Sequence, residues 1–312
     1  MRSGVGTLAV GTRGSPLALA QTRAVVSALQ SHHPNVAFEI RRITTKGDVM
    51  RDVPLATIGG RGVFADAIEE ALEAGEIDFA VHSAKDLPSI TADGLLIAAY
   101  PEREDARDVL ISNAGTLEAL PLGARVGTSS QRRACQLLAA RPDLSVPDLR
   151  GNVDTRLRKL DEGAYDAIVL AGAGLIRLGL TNRITEWLPT DVMLPAPGQG
   201  ALAIEIRSSD HELHELIAPL GHQPTAIALT AERAFLAHLG AGCAAALAAF
   251  ATVSATGTVT LEAMIGAPDG RCVRGKREAP ATGAAMLGGE LAAELLDRGG
   301  RALIPPLQRA QP

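Results

Sequence analysis

Short apolar runs recur along the chain, each closed by glycine, proline or a polar cluster, and they alternate with longer amphipathic stretches. Leu8–Gly11 is the first, and a run so short suits a buried strand better than a helix. It leads into Thr12-Arg13-Gly14-Ser15-Pro16, where Ser15 and Pro16 form an N-cap and first-turn pair for a helix reaching about Ser31. Val36, Phe38 and Ile40 alternate with polar residues and predict a second strand over 36–43. From Thr45-Lys46-Gly47-Asp48 to Gly59-Gly60-Arg61-Gly62 the chain is Gly-rich and without period, the pattern of a functional lid or a disordered loop, and Lys46 and Arg61 give it a positive underside. A helix over 64–74 and the apolar run Ile77–Val81 complete a βαβ pattern.

The pattern then restarts. Leu95–Tyr100 predicts a strand closed by Pro101-Glu102-Arg103-Glu104, the first crossover. Val109–Ile111, Arg125–Gly127, Ser145–Leu149 and Tyr165–Ala171 predict strands of a second α/β unit. Leu194-Pro195-Ala196-Pro197-Gly198-Gln199-Gly200 is a second crossover, ahead of a strand at Leu202–Ile206 that returns to the first unit. A helix over 225–239 ends at Gly240-Ala241-Gly242, and the apolar run 244–253 follows. Strands at 259–265 and 272–275 then form an antiparallel meander, closed by a helix over 281–297. The expectation is an α/β chain with two doubly wound lobes, 1–101 with 198–219 and 102–197, plus a smaller α+β domain at 220–312.

Composition narrows the function. The chain has 312 residues, 46% hydrophobic and 21% charged, as in ordinary globular proteins. A net charge of -5 and an aromatic content of 3% argue against a nucleic-acid partner, which calls for a basic face and stacking platforms. Cys135, Cys243 and Cys272 are widely spaced, with no CxxC and no histidine at zinc spacing, so neither a disulfide framework nor a metal site is expected. No signal-peptide layout opens the chain and no apolar run is long enough for a bilayer, so a cytoplasmic protein without a membrane partner is expected.

Candidate chemistry gathers just past the predicted strand ends, where open α/β sheets bind ligands. Val81-His82-Ser83-Ala84-Lys85-Asp86-Leu87-Pro88 places a hydroxyl, an ammonium and a carboxylate where a strand stops. Arg13 beside the Ser15 helix start makes an anion site from a guanidinium and free backbone N–H groups. Gly127-Thr128-Ser129-Ser130-Gln131-Arg132-Arg133 sets two arginines in a first helical turn, where the helix dipole disfavours them, so a bound anion is the expected counter-charge. With Arg150, Arg156 and Arg177 added, the arginines imply a ligand carrying several carboxylates or phosphates. No G-x-x-x-x-G-K-[ST] is present, so a nucleotide loop does not account for them. Cys243, on a Gly-bounded turn, is either packing or a covalent attachment point.

Taken together, these motifs resemble the porphobilinogen deaminase (hydroxymethylbilane synthase) family nearly end to end. The resemblance rests on Gly11-Thr12-Arg13-Gly14-Ser15-Pro16-Leu17-Ala18, the Gly59–Phe64 loop, Val81–Pro88, Gly127–Arg133 and Arg150-Gly151-Asn152, followed by Leu194–Ala201 and Ala231-Glu232-Arg233-Ala234 ahead of Gly242-Cys243. It implies two lobes like periplasmic binding proteins and a third domain carrying a dipyrromethane primer in thioether linkage to Cys243. It implies a transferase of tetrapyrrole (haem) biosynthesis that joins four porphobilinogens head to tail, releasing ammonia and a linear hydroxymethylbilane. Asp86 then corresponds to the catalytic carboxylate. Ser83, Lys85, Asp86, Thr128, Ser130, Arg132, Arg133 and Arg150 would hold the primer, and Arg13, Ser15, Arg156 and Arg177 the substrate. A cytoplasmic monomer is implied. Two departures stand out. Ala241-Gly242-Cys243-Ala244-Ala245-Ala246 replaces the usual Gly-Gly-Cys-Gln/Ser-x-Pro, and Arg61 stands where many members have lysine. The competing reading is a two-lobed anion binder, or an inactive copy without primer.

Overall fold

The computed structural model describes residues 6–45, 65–240 and 246–304. The chain divides into two compact units, Met1–Asp105 with Gly198–Ala226 and Ala106–Pro197 with Ile227–Pro312. The division expected from sequence is finer, separating the C-terminal segment from 102–197.

The first unit holds strands β1 (Leu8–Arg13), β2 (Phe38–Ile43), β3 (Phe79–Ser83), β4 (Leu95–Ala99) and β9 (Leu202–Arg207) in the order β2-β1-β3-β9-β4. The first three run parallel, and β9 enters antiparallel to both β3 and β4. Helices α1 (Pro16–His32) and α6 (His211–Ile217) cover one face, and α2 (Asp66–Glu73) covers the other. Alternation along the strands divides the side chains between the two faces. Leu8, Val10, Phe79 and Val81 meet Val25, Leu29 and Leu213, whereas Ala9 and Ala80 meet Ile68 and Leu72. Strands covered on both faces read as continuous apolar runs, which is why Phe79–Val81 was legible as a strand.

The second unit repeats the plan with β5 (Asp108–Ser112), β6 (Val126–Gly127), β7 (Ala167–Ala171) and β8 (Glu186–Trp187), ordered β6-β7-β5-β8. Helix α3 (Gln131–Ala140) packs Leu137 against Leu110, Val126 and Val169. Helices α4 (Val153–Asp161) and α5 (Gly172–Arg177) pack Leu157, Leu160 and Leu175 on the other side, against Val109, Ile168 and Leu170. The expected strand at Ser145–Leu149 is not formed. Ser145 makes one bridge to Arg125, and Pro147, lacking an N–H, ends the ladder there.

In the same unit β10 (Ala246–Val253), β11 (Thr258–Gly266) and β12 (Cys272–Pro280) form an antiparallel meander. Helices α7 (Gln223–Leu239) and α8 (Ala284–Asp297) close over it, burying Phe235, Leu287, Leu291 and Leu295 on Val259, Leu261 and Ile265.

Candidate active site

Strands β1 and β3 run parallel in a register that sets Val10 opposite Phe79 and Gly11 opposite Ala80, so both leave the sheet at one edge. Past β1, Ser15 caps α1, its Oγ accepting from Ala18 N at 3.2 Å. Past β3 the chain makes one 3-10 turn, Ala84–Asp86, before Leu87 and Pro88 carry it away extended. Arg13, Ser15, Gln21, Ser83 and Asp86 consequently line one open recess. Lys85, on the same turn, is exposed and outside that lining. Gln21 was not foreseen, although it lies on the line of α1 that buries Val25 and Leu29. Its Nε2 donates to Ser83 Oγ at 3.0 Å.

The turn carrying Asp86 is held from behind by the segment that returns at Gly198. Ala84 N donates to Ala201 O at 3.0 Å, and Lys85 Nζ to Gln199 Oε1 at 3.4 Å. Gln199, 1% exposed, also accepts on its carbonyl from Arg103 Nε at 2.8 Å. Gly198 has φ +77°, and a Cβ there would stand 2.8 Å from Lys85 N and 2.9 Å from Ala84 C. Only glycine meets both conditions. The proline- and glycine-rich stretch read as a crossover therefore also sets the position of the Ala84–Asp86 turn.

Behind the recess His82 and Glu205 are both buried, with Nε2 and Oε2 3.0 Å apart but off hydrogen-bond alignment. Glu69, on α2, has its carboxyl pushed up by burial and then by the Glu205 charge. Glu205 was hidden inside the apolar run Leu202–Ile206, where a lone acid is the available signal.

In the second unit β6 ends at Gly127, where a Cβ would come within 2.6 Å of the Tyr165 ring. Thr128 Oγ1 accepts from Ser130 N at 3.2 Å, and the Ser130 side chain caps α3 by accepting from Arg133 N at 3.5 Å. The antiparallel β5 brings its first residue, Asp108, to this edge, opposite Ala171. Arg132 Nη1 donates to Asp108 Oδ2 at 2.7 Å and to Leu194 O at 2.6 Å. Arg133 donates to Asp108 Oδ1 from Nη2 at 2.7 Å and from Nε at 3.1 Å, and from Nη1 to Val169 O at 3.1 Å. Asp108 is 0% exposed; burial pushes its carboxyl up, but Arg132 and Arg133 outweigh that and hold it far below the usual range. The expected counter-charge for the paired arginines is thus, first of all, a carboxylate of the chain itself. Asp108 was overlooked because it sits directly ahead of the apolar run 109–111.

Arg150 Nε donates to Asp148 Oδ2 and Arg156 Nε to Gly151 O, each at 2.7 Å. Burial, then the Arg133 charge, lower Arg156 to about 10 against the pull of Asp148, and Arg150 adds to the lowering. Arg133 and Arg150 therefore act on Arg156 as like charges, a placement that an arriving anion would relieve. Arg177 lies in the last turn of α5, half-buried. Cys243, Lys46 and Arg61 lie outside the described residues.

The family models and the relatives similar in sequence agree on a class. Residues 8–215 match the family model described as porphobilinogen deaminase, dipyromethane cofactor binding domain. Residues 226–297 match the model described as porphobilinogen deaminase, C-terminal domain. The chain belongs to the porphobilinogen deaminase family, whose cofactor is a dipyrromethane. It is 56% identical over 299 residues to the porphobilinogen deaminase of Roseiflexus sp. (strain RS-1), covering 96% of this chain and 98% of that one. It is 48% identical over 305 residues to that of Syntrophus aciditrophicus (strain SB), covering 97% and 99%. Among solved structures it is similar to the second substrate binding domain of a putative amino acid ABC transporter from Streptococcus pneumoniae Canada MDR_19A, at 15% identity and TM-score 0.43, covering 69% and 91%.

The side chains present suit a dipyrromethane, whose rings offer N–H donors and anionic arms. The first unit by itself has a carboxylate at Asp86 and a hydroxyl at Ser83, and the second by itself has hydroxyls at Thr128 and Ser130 and cations at Arg133, Arg150 and Arg156.

Proposed function

We propose that this chain is a transferase that condenses four porphobilinogens head to tail, with release of ammonia, into hydroxymethylbilane. The observation that carries the reading is Asp86 standing on a recess lined by Arg13, Ser15 and Ser83, in a chain of this family. The dipyrromethane, bound in thioether linkage to Cys243, supplies the acceptor end to which new rings are joined. Ser83, Lys85, Asp86, Thr128, Ser130, Arg132, Arg133 and Arg150 hold it through its N–H groups and carboxylates. Arg13, Ser15, Arg156 and Arg177 take the carboxylates of the incoming porphobilinogen. Asp86 accepts hydrogen bonds from the substrate pyrrole N–H and stabilises the positive charge that develops on the substrate as its amine departs. Asp108 orients Arg132 and Arg133 and prevents them from following the ligand as a loose pair. The protein works as a cytoplasmic monomer, without nucleic-acid or membrane partners; among the described residues no helix is long and apolar enough to cross a membrane.

Intact mass and peptide mapping test the reading. A mass excess of two pyrrole units on the Cys243 peptide is expected. A bare polypeptide mass that stays bare after incubation with porphobilinogen would leave the chain a binder or an inactive copy, the outcome to which the alanines around Cys243 give weight.

A further inference from the structure

Cys135 and Cys272 are far apart in sequence and meet in the second unit, where α3 packs on the C-terminal sheet. Cys135, in the middle of α3, is fully buried. Cys272 opens β12, opposite Gly266 of β11, and is half-buried. Gly266 is what lets the two approach. A Cβ on it would lie 2.4 Å from Cys135 Sγ and 3.4 Å from Cys272 Cβ, so both side chains border the space that a larger residue would fill. The two side chains thus face one another across Gly266, and Cys135 Sγ donates to Arg271 O at 3.6 Å. The contact is fixed on both sides. Arg274, two residues beyond Cys272, donates to Gln136 Oε1 and Asp191 O, so β12 is tied to the residue next to Cys135.

The environment makes the pair unequal. The neighbouring Cys135 thiol and the Arg274 charge lower the Cys272 thiol to about 6 against its burial, whereas Cys135 is pushed up by its Cys272 neighbour and by burial. A half-buried thiol held low beside a buried resolving thiol is the arrangement of a redox-active pair rather than of two inert core cysteines.

We propose that Cys135 and Cys272 form a dithiol site that exchanges with low-molecular-weight disulfides. The Cys272 thiolate attacks one sulfur of the small disulfide, making a mixed disulfide and expelling one thiolate. Cys135 then gives up its proton and attacks the Cys272 sulfur, forming the Cys135–Cys272 bond and expelling the second thiolate. Two protein thiols are oxidised and one small disulfide is reduced to two thiols. Because α3 carries Arg132 and Arg133 in its first turn, closure pins the helix of those arginines to β12.

The test is non-reducing peptide mapping of the reduced holoenzyme after incubation with oxidised glutathione, followed by alkylation. A peptide pair linked through Cys135 and Cys272, with the mass loss of two hydrogens, is expected. Cys135→Ser should stop at one glutathione on Cys272, and Cys272→Ser should leave Cys135 as an unmodified thiol. The proposal fails if wild-type protein ends as two alkylated thiols, as a lasting mixed disulfide, or linked to Cys243. The wild-type map decides the matter even if a variant does not fold, and it reads nothing from turnover.

Discussion

Asp108→Asn tests whether the buried acid, rather than a ligand, holds the two arginines in place. The side chain accepts three charge-assisted hydrogen bonds, at 2.7, 2.7 and 3.1 Å, from guanidinium groups that are themselves nearly buried. Bonds to charged groups contribute about 1.5–3 kcal/mol each. Asn keeps one acceptor oxygen but leaves two buried cations without a counter-charge, for which about 3–5 kcal/mol is the usual loss. The reporter is built in. Trp187, the single tryptophan, lies on β8 opposite Val109, the residue after Asp108. Urea unfolding followed by its fluorescence should show the midpoint falling by about 1.5–2.5 M, taking a slope of about 2 kcal/mol/M. A fall of less than about 0.5 M, equivalent to about 1 kcal/mol, would place the pair with screened surface ion pairs and refute the reasoning.

The same residue predicts a pH dependence. Its folded pKa lies well below the unfolded one, so its stabilisation is complete above about pH 4 and is lost as pH falls toward the folded value; acid unfolding of the variant, read at Trp187, should lack that part of the slope. Asp86→Asn should leave circular dichroism and melting unchanged while turnover drops about 100-fold or more, and a near-normal rate would remove Asp86 from its role. Gly198→Ala should destabilise by about 1–3 kcal/mol and lower turnover through the displaced Ala84–Asp86 turn, because it combines a positive φ with a backbone clash; full activity at wild-type melting temperature would deny the brace.

Much of the fold was visible in the chain because its signals are local. Ser15 and Ser130 cap the helices they announce, and the runs at 77–81 and 165–171 are strands because both sheet faces are covered. The Ser145 segment misled because apolar content says nothing of Pro147's missing donor. The helix Val153–Asp161 is only faintly marked, by the arginine-bearing turn 150–156, because its composition is polar. At the site, Arg13, Ser15, Ser83 and Asp86 could be gathered in advance, since each follows a strand that a βαβ pattern sends to one edge. Asp108, Gln199 and Glu205 could not. Each comes to its neighbours from an antiparallel strand or a returning segment within its own unit, and pairing across such distances leaves no periodic trace.

The late strand β9 has a consequence for biosynthesis. Among the described residues β4 pairs with β9 alone, and β3 and β4 lie on either side of β9, so the place between them stays vacant until Leu202–Arg207 has left the ribosome. By then the whole of 106–197 has emerged and can close its own sheet. The sheet that is translated first is therefore the sheet that finishes second, and its unpaired strand edges are the surface a nascent-chain chaperone would have to shield.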